Sequence, residues 1–144
     1  MSEDWVAKET NTHQDHVIAH VIGATVFGYF SFDETLYLLL DVGFVWRIFV
    51  DGEMGLLPHP VATAEFEVND ETRSEIGADI DALLTHKLHA EGLRHLVQLR
   101  IECVITEVNF FASGVQRRLV VTGEQATLTI ETSVETAEIR VYEF

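Results

Sequence analysis

The sequence predicts an α+β fold: a mainly antiparallel β-sheet of about seven to eight strands in two blocks, with one principal helix near residues 70–91 packed on the sheet. Three observations support this prediction. Runs of β-branched and aromatic residues precede residue 60, an apolar stripe at helical spacing follows residue 70, and the last third of the chain alternates between polar and apolar residues. The chain has 144 residues, 47% of them hydrophobic, which is the ordinary size of one domain, so we predict a single domain over residues 1–144.

The first predicted strands form a hairpin. Residues 1–15 are polar and are expected to be a loose N-terminal arm or a short helical lead-in. Residues 21–32 and 35–41 are rich in β-branched and aromatic side chains, and Asp33-Glu34 separates them as a turn. Both strands are apolar on both faces. Because exposing large apolar side chains is costly, we expect this hairpin to be central in the fold or covered by a second copy of the protein.

A second hairpin is predicted directly after the first. Residues 44–50 alternate, and Asp51-Gly52 is the kind of pair that a tight turn needs before the chain returns over residues 53–57. Pro58-His59-Pro60 ends this returning strand. Residues 61–68 are expected to form a further short strand.

The principal helix is predicted from its start signal and its apolar stripe. Asn69 or Asp70 can cap it, and Glu71 and Glu75 suit the positive end of the helix dipole. Gly92 is a natural stop. The residues of the stripe are Ile76, Ile80, Leu83, Leu84 and Leu88.

Three strands of the last third are predicted to pair around two short turns. A loop at Ser113-Gly114 places Phe110 opposite Arg117, and a loop at Gly123-Glu124 places Leu119 opposite Leu128. Residues 138–142 alternate as a fourth strand, with Ile139 and Val141 facing inward. The predicted apolar face consists of Val104, Val108, Phe110, Leu119, Val121, Ala126, Leu128 and Ile130.

The formal charge of the chain restricts the classes of partner that it can bind. Twenty-four acidic residues against nine Lys and Arg give a formal charge of −15, which repels nucleic-acid phosphates and anionic lipids. We predict no nucleic-acid partner, no membrane association, no signal peptide and no transmembrane helix.

The single cysteine, Cys103, lies inside an alternating strand, so we expect its side chain to be buried. Because one cysteine cannot form a disulfide within the chain, we expect a reducing, cytoplasmic setting. Nucleotide-binding loops are missing, and no cofactor is predicted. The nucleophile-elbow motif is also missing, so nucleophilic catalysis has little support.

The histidines are the first candidates for metal chemistry. His86, His89 and His95 lie near the predicted end of the helix, with Glu91 among them, and two histidines three or four apart on a helix can supply a pair of ligands. The alternative is that they are polar side chains that suit the helix C-terminus. His16 and His20 share a face only if that segment is helical. Because the residues after them look like a strand, ordinary hydrogen-bonded histidines are expected there.

Arg47 is the candidate for a ligand site. It lies in a strand of apolar neighbours, so its guanidinium must reach water or a carboxylate, and Asp41 and Glu53 are the nearest acids by sequence. The alternative is an anion-binding arginine in an aromatic pocket. The aromatic residues of that pocket would be Tyr29, Tyr37 and Trp46.

A second candidate ligand site lies on the polar side of the C-terminal sheet. Glu107, Asn109 and Arg118 share that side, and Glu107 is one diagonal step from Arg118 in the predicted register. The same three side chains also suit a solvated sheet face, where an ion pair contributes only about 0 to 1 kcal/mol.

The functional hypotheses follow from these residues. The leading one is a non-catalytic association or binding domain that forms a homodimer through residues 21–41 and 44–57, whose apolar surface exceeds what one helix can cover. The first alternative is a small-ligand binding protein or metal-dependent enzyme with a pocket between helix and sheet. The second is an acidic inhibitor of a basic protein, docking through Glu71, Glu75 and Asp79.

Overall fold

The computed structural model describes residues 4–41 and 43–144. Within this described part, nine strands and three helices follow one another, and the mainly antiparallel α+β fold class is confirmed. In chain order they are β1 (Val6–Ala7), α1 (Thr12–Val21), β2 (Thr25–Phe32), β3 (Thr35–Leu40), β4 (Phe44–Phe49), β5 (Met54–Pro58), α2 (His59–Glu65), α3 (Asp70–His86), β6 (Val97–Ser113), β7 (Gln116–Gly123), β8 (Thr127–Ser133) and β9 (Ile139–Glu143).

The strands form one sheet that folds over on itself at β6. The order is β5-β4-β3-β2-β6-β7-β8-β9, with β1 paired to the end of β6, and all these pairs are antiparallel. The beginning of β6 pairs with β2 and its later part pairs with β7, with a register irregularity in each pairing. We call β2–β5 with residues 97–104 the N-terminal half-sheet, and residues 105–113 with β1, β7, β8 and β9 the C-terminal half-sheet.

The two half-sheets pack face to face around a shared apolar core. Two contacts join them directly. Gly52, in the β4–β5 turn, lies so close to the Phe110 ring that a Cβ at Gly52 would come within 2.1 Å of it, and Thr132 Oγ1 donates a 2.6 Å hydrogen bond to the Val50 carbonyl. The fully buried members of this core include Val26, Leu36, Leu38, Trp46, Val121 and Leu128.

The outer face of the N-terminal half-sheet is also buried. Helices α2 and α3 lie against it, and α3 approaches β2 so closely that a Cβ at Gly28 would meet a Leu83 methyl at 3.0 Å. The first hairpin is therefore apolar on both faces and covered on both, by helices on one side and by the C-terminal half-sheet on the other. The residues packed in this second core include Phe27, Leu39, Val45, Phe66, Ile76 and Ile80.

Both predicted N-terminal hairpins are present. In the first turn, Asp33 and Glu34 have φ values of +50° and +62°, the left-handed pair that a two-residue hairpin loop requires. In the second, Gly52 has a φ of +96° and its N–H donates to the Phe49 carbonyl. The predicted alternation of β4 is present, because Trp46 lies in the core between the half-sheets while Val45 packs under the helices.

Helix α1 lies where a loose arm or a short helical lead-in was predicted up to residue 15, and it extends to Val21, where a strand was predicted to begin. Asn11 caps it with a capping box, in which Asn11 and Gln14 each accept a backbone N–H of the other. Val17 and Val21 are buried in the core. The side chain of Gln14 donates to the Gly52 carbonyl, so α1 packs over the β5 edge of the sheet. Strand β2 therefore begins at Thr25 rather than at Val21.

The segment predicted as a short strand over residues 61–68 is instead mostly the helix α2. Pro60 stands in its first turn, where proline's missing N–H is no loss, and Ala62 is buried. Helix α3 begins as predicted, with Asn69 accepting the Thr72 N–H. It ends at His86 rather than near residue 91, because Lys87 takes a positive φ of +55° and a 3-10 turn follows over Lys87–His89.

The C-terminal strands pair two residues away from the predicted register. Phe110 lies opposite Leu119, which makes Gly114-Val115 the loop, and Val121 lies opposite Leu128. Because side chains alternate with a period of two, this shift leaves the predicted inward face intact from residue 108 onward. Val104 is the exception: Cys103 and Ile105 take the buried side of β6.

Candidate functional site

A cleft of about 640 Å³ opens at one end of the N-terminal half-sheet. Three segments meet there, namely the β2–β3 turn, the β4–β5 turn and the end of α2 with the residues after it. Apolar parts of Phe32, Phe49 and Val134 form part of its wall. The acidic residues along it are Asp33, Glu34, Asp51, Glu53, Glu65 and Glu67.

An aromatic cluster forms the inner wall of this cleft. The Tyr37 ring stacks on Phe30 with centroids 4.8 Å apart, and Phe66 meets the Tyr37 ring edge-on at 5.0 Å. Such pairs prefer these offset and perpendicular geometries. Tyr37 is only 9% exposed, and burial raises the pKa of its phenol, an effect that Arg47 partly offsets. The phenol is therefore neutral near pH 7.

Arg47 lies on the same wall, because it is opposite Tyr37 in the β3–β4 register. Its Nη1 donates to Glu65 Oε2 at 3.3 Å, and its guanidinium carbon lies 5.3 Å from the centre of the Phe49 ring. The partner is thus Glu65 of α2 rather than Asp41 or Glu53. Sequence reasoning missed Glu65 because residues 61–68 were expected to form a strand.

The other aromatic residues predicted around Arg47 lie elsewhere. Trp46 points into the core between the half-sheets and is fully buried, and Tyr29 packs against that same core. Asp41 accepts the Thr25 N–H through Oδ1, and Glu53 accepts from the Asn11 side chain. Of the predicted ligand residues, the cleft brings together Arg47 and Tyr37.

The electrostatics of the cleft favour a cation. One arginine stands among six carboxylates. Within the described residues, Glu65 is the one of these six that forms an ion pair. An anion placed beside Arg47 would also face the uncompensated carboxylates, so the predicted anion-binding role of this arginine has unfavourable surroundings.

The polar residues predicted on the C-terminal sheet share its outer face without forming one cluster. Asn109 lies opposite Val120, and Glu107 lies opposite Thr122. Arg118 pairs with Glu131 of β8 at 3.3 Å instead of with Glu107, and its guanidinium lies 4.0 Å from the Trp5 ring centre. The N-terminal arm thus packs on this face.

The predicted metal histidines are spread over three segments. His86 ends α3, His89 lies in the 3-10 turn, and His95 Nε2 is 3.4 Å from Glu75 Oε1. Among residues 4–41 and 43–144, no group of three or more His, Cys, Asp or Glu side chains is placed to hold a metal ion. Arg94, followed by His95, lowers the pKa of Glu75 through hydrogen bonding.

The acidic face of α3 is largely used within the chain. Asp79 is 4% exposed and accepts the backbone N–H groups of Arg94, His95 and Leu96, so it holds the segment before β6. Glu75 pairs with Arg94. Apolar side chains fill the space between α3 and the sheet, and a second cleft of about 640 Å³ lies between α3 and residues 91–94.

Comparison of this chain with protein-family models, with curated proteins and with solved structures gives no match. Within the described part of the chain, the helices are too short or too polar to cross a lipid bilayer. The geometry and charge of the chain's own residues therefore provide the basis for inferring its function.

Proposed function

We propose that this chain is a non-catalytic binding protein whose cleft holds a positively charged group, namely a lysine or arginine side chain of a basic partner. One observation supports this above all: the cleft wall already accommodates a guanidinium. Arg47 lies over the Phe49 ring and beside the Glu65 carboxylate, which is the environment that a bound cation needs.

The surplus of carboxylates supports the same proposal. Asp33, Glu34, Asp51, Glu53 and Glu67 line the cleft, and none of them has an ion-pair partner among the described residues. A single arginine cannot neutralise them, so a second cation would lower the repulsion between them. The formal charge of −15 would steer a basic segment toward the protein from a distance, with a rate that falls as salt is added.

Calorimetric titration with a short blocked peptide, in which arginine alternates with alanine, tests this function. The double variant Glu34→Gln/Glu67→Gln removes two exposed cleft carboxylates. The matched control Glu102→Gln/Glu124→Gln removes two exposed carboxylates that do not line this cleft. We expect the cleft variant to lose at least about fivefold in affinity, while the control, with the same net charge, loses less than about twofold.

Equal losses in the two variants would mean that net charge alone attracts the peptide. The proposal would then fail. A peptide with glutamine in place of arginine should not bind. The hypothesis of an acidic inhibitor that docks through α3 predicts a different result, in which Glu71→Gln weakens binding and the cleft variant does not.

Self-association is a second candidate, and the free edge of β9 is the observation that favours it. The surfaces predicted to form a homodimer, residues 21–41 and 44–57, have most of their apolar side chains buried within the chain. Thr127 and Phe144 exchange both backbone hydrogen bonds, so alternate residues of β9 direct their N–H and C=O groups away from β8. These residues are Ile139 and Val141, whereas Glu143, the next in the series, accepts the Arg100 N–H through its carboxylate.

Two β9 strands paired antiparallel about Val141 would place Arg140 of one copy opposite Tyr142 of the other, a favourable cation–aromatic pair. Sedimentation equilibrium at micromolar concentration tests this candidate. Val141→Pro removes an N–H that points away from β8, so it should dissociate such a dimer while the fold persists. A wild-type chain that sediments as a monomer would exclude this dimer.

We propose a cytoplasmic setting for this binding function. Cys103 is the one cysteine of the chain and its thiol is buried, so the fold needs no oxidising compartment. Fractionation of cells that express the tagged chain would test this. Recovery in a membrane or secreted fraction would count against it.

A further inference from the structure

Helix α1 brings His16 and His20 together on one exposed face. The two residues are four apart within Thr12–Val21, and both side chains are exposed. Residues at this spacing are neighbours on a helix surface, with Cβ atoms about 5 to 6 Å apart. Sequence reasoning predicted ordinary hydrogen-bonded histidines here, because the residues after them look like a strand. The helix gives it a common face.

The ring orientation of His20 is fixed by the helix itself. Its Nδ1 lies 2.7 Å from the His16 carbonyl oxygen. A carbonyl oxygen only accepts hydrogen bonds, so Nδ1 must carry the hydrogen, and in the neutral ring the lone pair is then on Nε2. Metal-binding histidines almost always donate their other ring N–H to a carbonyl or carboxylate, because this sets the tautomer and the ring orientation. His20 therefore makes the kind of hydrogen bond that orients a metal-binding histidine.

We propose that His16 and His20 form a two-histidine site for a divalent transition metal of the Zn²⁺, Ni²⁺ and Cu²⁺ class. Imidazole nitrogen suits these ions, whereas Mg²⁺ and Ca²⁺ prefer oxygen ligands. Neither Nε2 has a hydrogen-bond partner among the described residues, and both histidines are exposed. The formal charge of −15 raises the local concentration of any divalent cation.

The site has open coordination positions. In the described part of the chain, no third His, Cys, Asp or Glu completes it. His13 lies on the same side of α1, but its Nε2 is 2.9 Å from the Met54 carbonyl and anchors the helix to β5. Water, or a donor group from another molecule, would occupy the remaining positions. A second copy that supplied its own His16 and His20 would complete a tetrahedral zinc site.

Calorimetric titration of the full chain, first stripped with a chelator, tests the site with NiCl₂ and with ZnCl₂. We compare wild type with His16→Asn and His20→Asn, and with His86→Asn as a control, because His86 is an exposed histidine at the end of a different helix. Either α1 variant should lose at least about tenfold in affinity, since removing one of two ligands leaves a single imidazole. The control should lose less than about twofold.

Stoichiometry and a second readout make the outcome decisive. One metal per chain, or one per two chains with a matching increase in sedimentation coefficient, supports the site. Ni²⁺ broadening of backbone amide resonances should be confined to α1 and its neighbours. Affinity that is unchanged in both α1 variants, or that falls equally in His86→Asn, would overturn the proposal. Circular dichroism of each variant checks that the fold is intact.

Discussion

The two half-sheets share one core but differ in their outer faces. The outer face of the N-terminal half-sheet is apolar and lies beneath α2 and α3. The outer face of the C-terminal half-sheet is mostly polar, although it includes Phe111 and Val120, and the N-terminal arm packs on it at Arg118. A strand that is apolar on both faces requires a third layer, whereas an alternating strand needs only one neighbour layer. The difference in sequence pattern thus sets how many layers cover each half.

The largest expected loss of stability is tested by comparing one residue from each outer face. Leu39 is 2% exposed under the helices, while Thr129 lies partly exposed on the outer face of β8. Leu39→Ala should lower the free energy of unfolding by about 2 to 5 kcal/mol, because it removes buried methyl groups and leaves a cavity. Thr129→Ala should change it by less than about 1 kcal/mol. Urea denaturation of both variants measures the contrast, and similar losses would contradict the three-layer arrangement.

The next largest expected effect is a loss of stability at high pH. It comes from Cys103, which lies in β6 where the chain passes between the half-sheets. Burial raises the pKa of its thiol from 9.0 to about 11. The unfolded thiol loses its proton first as the pH rises, so stability is retained below pH 9 and lost between about pH 9 and 11. The loss should reach at most about 2 to 3 kcal/mol. Urea midpoints across this range should fall more steeply for wild type than for Cys103→Ala, and parallel curves would argue against a buried thiol.

The junction of the half-sheets gives the third prediction. Gly52 has a φ of +96° and lies against the Phe110 ring, so Gly52→Ala adds both backbone strain and a steric clash. We expect a loss of about 1 to 3 kcal/mol in the free energy of unfolding. Gly114→Ala is the matched control, because Gly114 also has a positive φ but has no atom within 4 Å of an added Cβ. Equal losses would assign the whole effect to the backbone rather than to the junction.

The smallest effect is expected at the hydrogen bond that joins the half-sheets. Thr132 is 5% exposed, and its hydroxyl donates to the Val50 carbonyl. Thr132→Val keeps the shape of the side chain but removes the donor, so stability should fall by about 0.5 to 1.5 kcal/mol. Thr127→Val, on the outer face of the same strand, serves as the control. A loss at Thr127 as large as the loss at Thr132 would contradict a specific role for this bond.

Sequence reasoning predicted only part of the candidate cleft. Arg47 stood out because a cation in an apolar strand needs a partner, and Tyr37 was correctly placed beside it. Glu65 was missed because its helix, with Pro58 before it and Pro60 in its first turn, lies in a segment that also suits a strand. The gathering of carboxylates from two turns and a helix depends on contacts between distant segments. No local pattern in the chain shows that these segments meet.

Residue pattern alone determined the fold class, both N-terminal hairpins, the start of α3 and the inward face of the C-terminal strands from Val108 onward. These features depend on local chemistry: turn residues with positive φ, a capping side chain, and a side-chain period of two that survives a register shift of two. Tertiary structure decided what covers the first hairpin, where β6 bends, and which carboxylate meets Arg47. It also decided that α1 packs against the core, where Val17 and Val21 are buried.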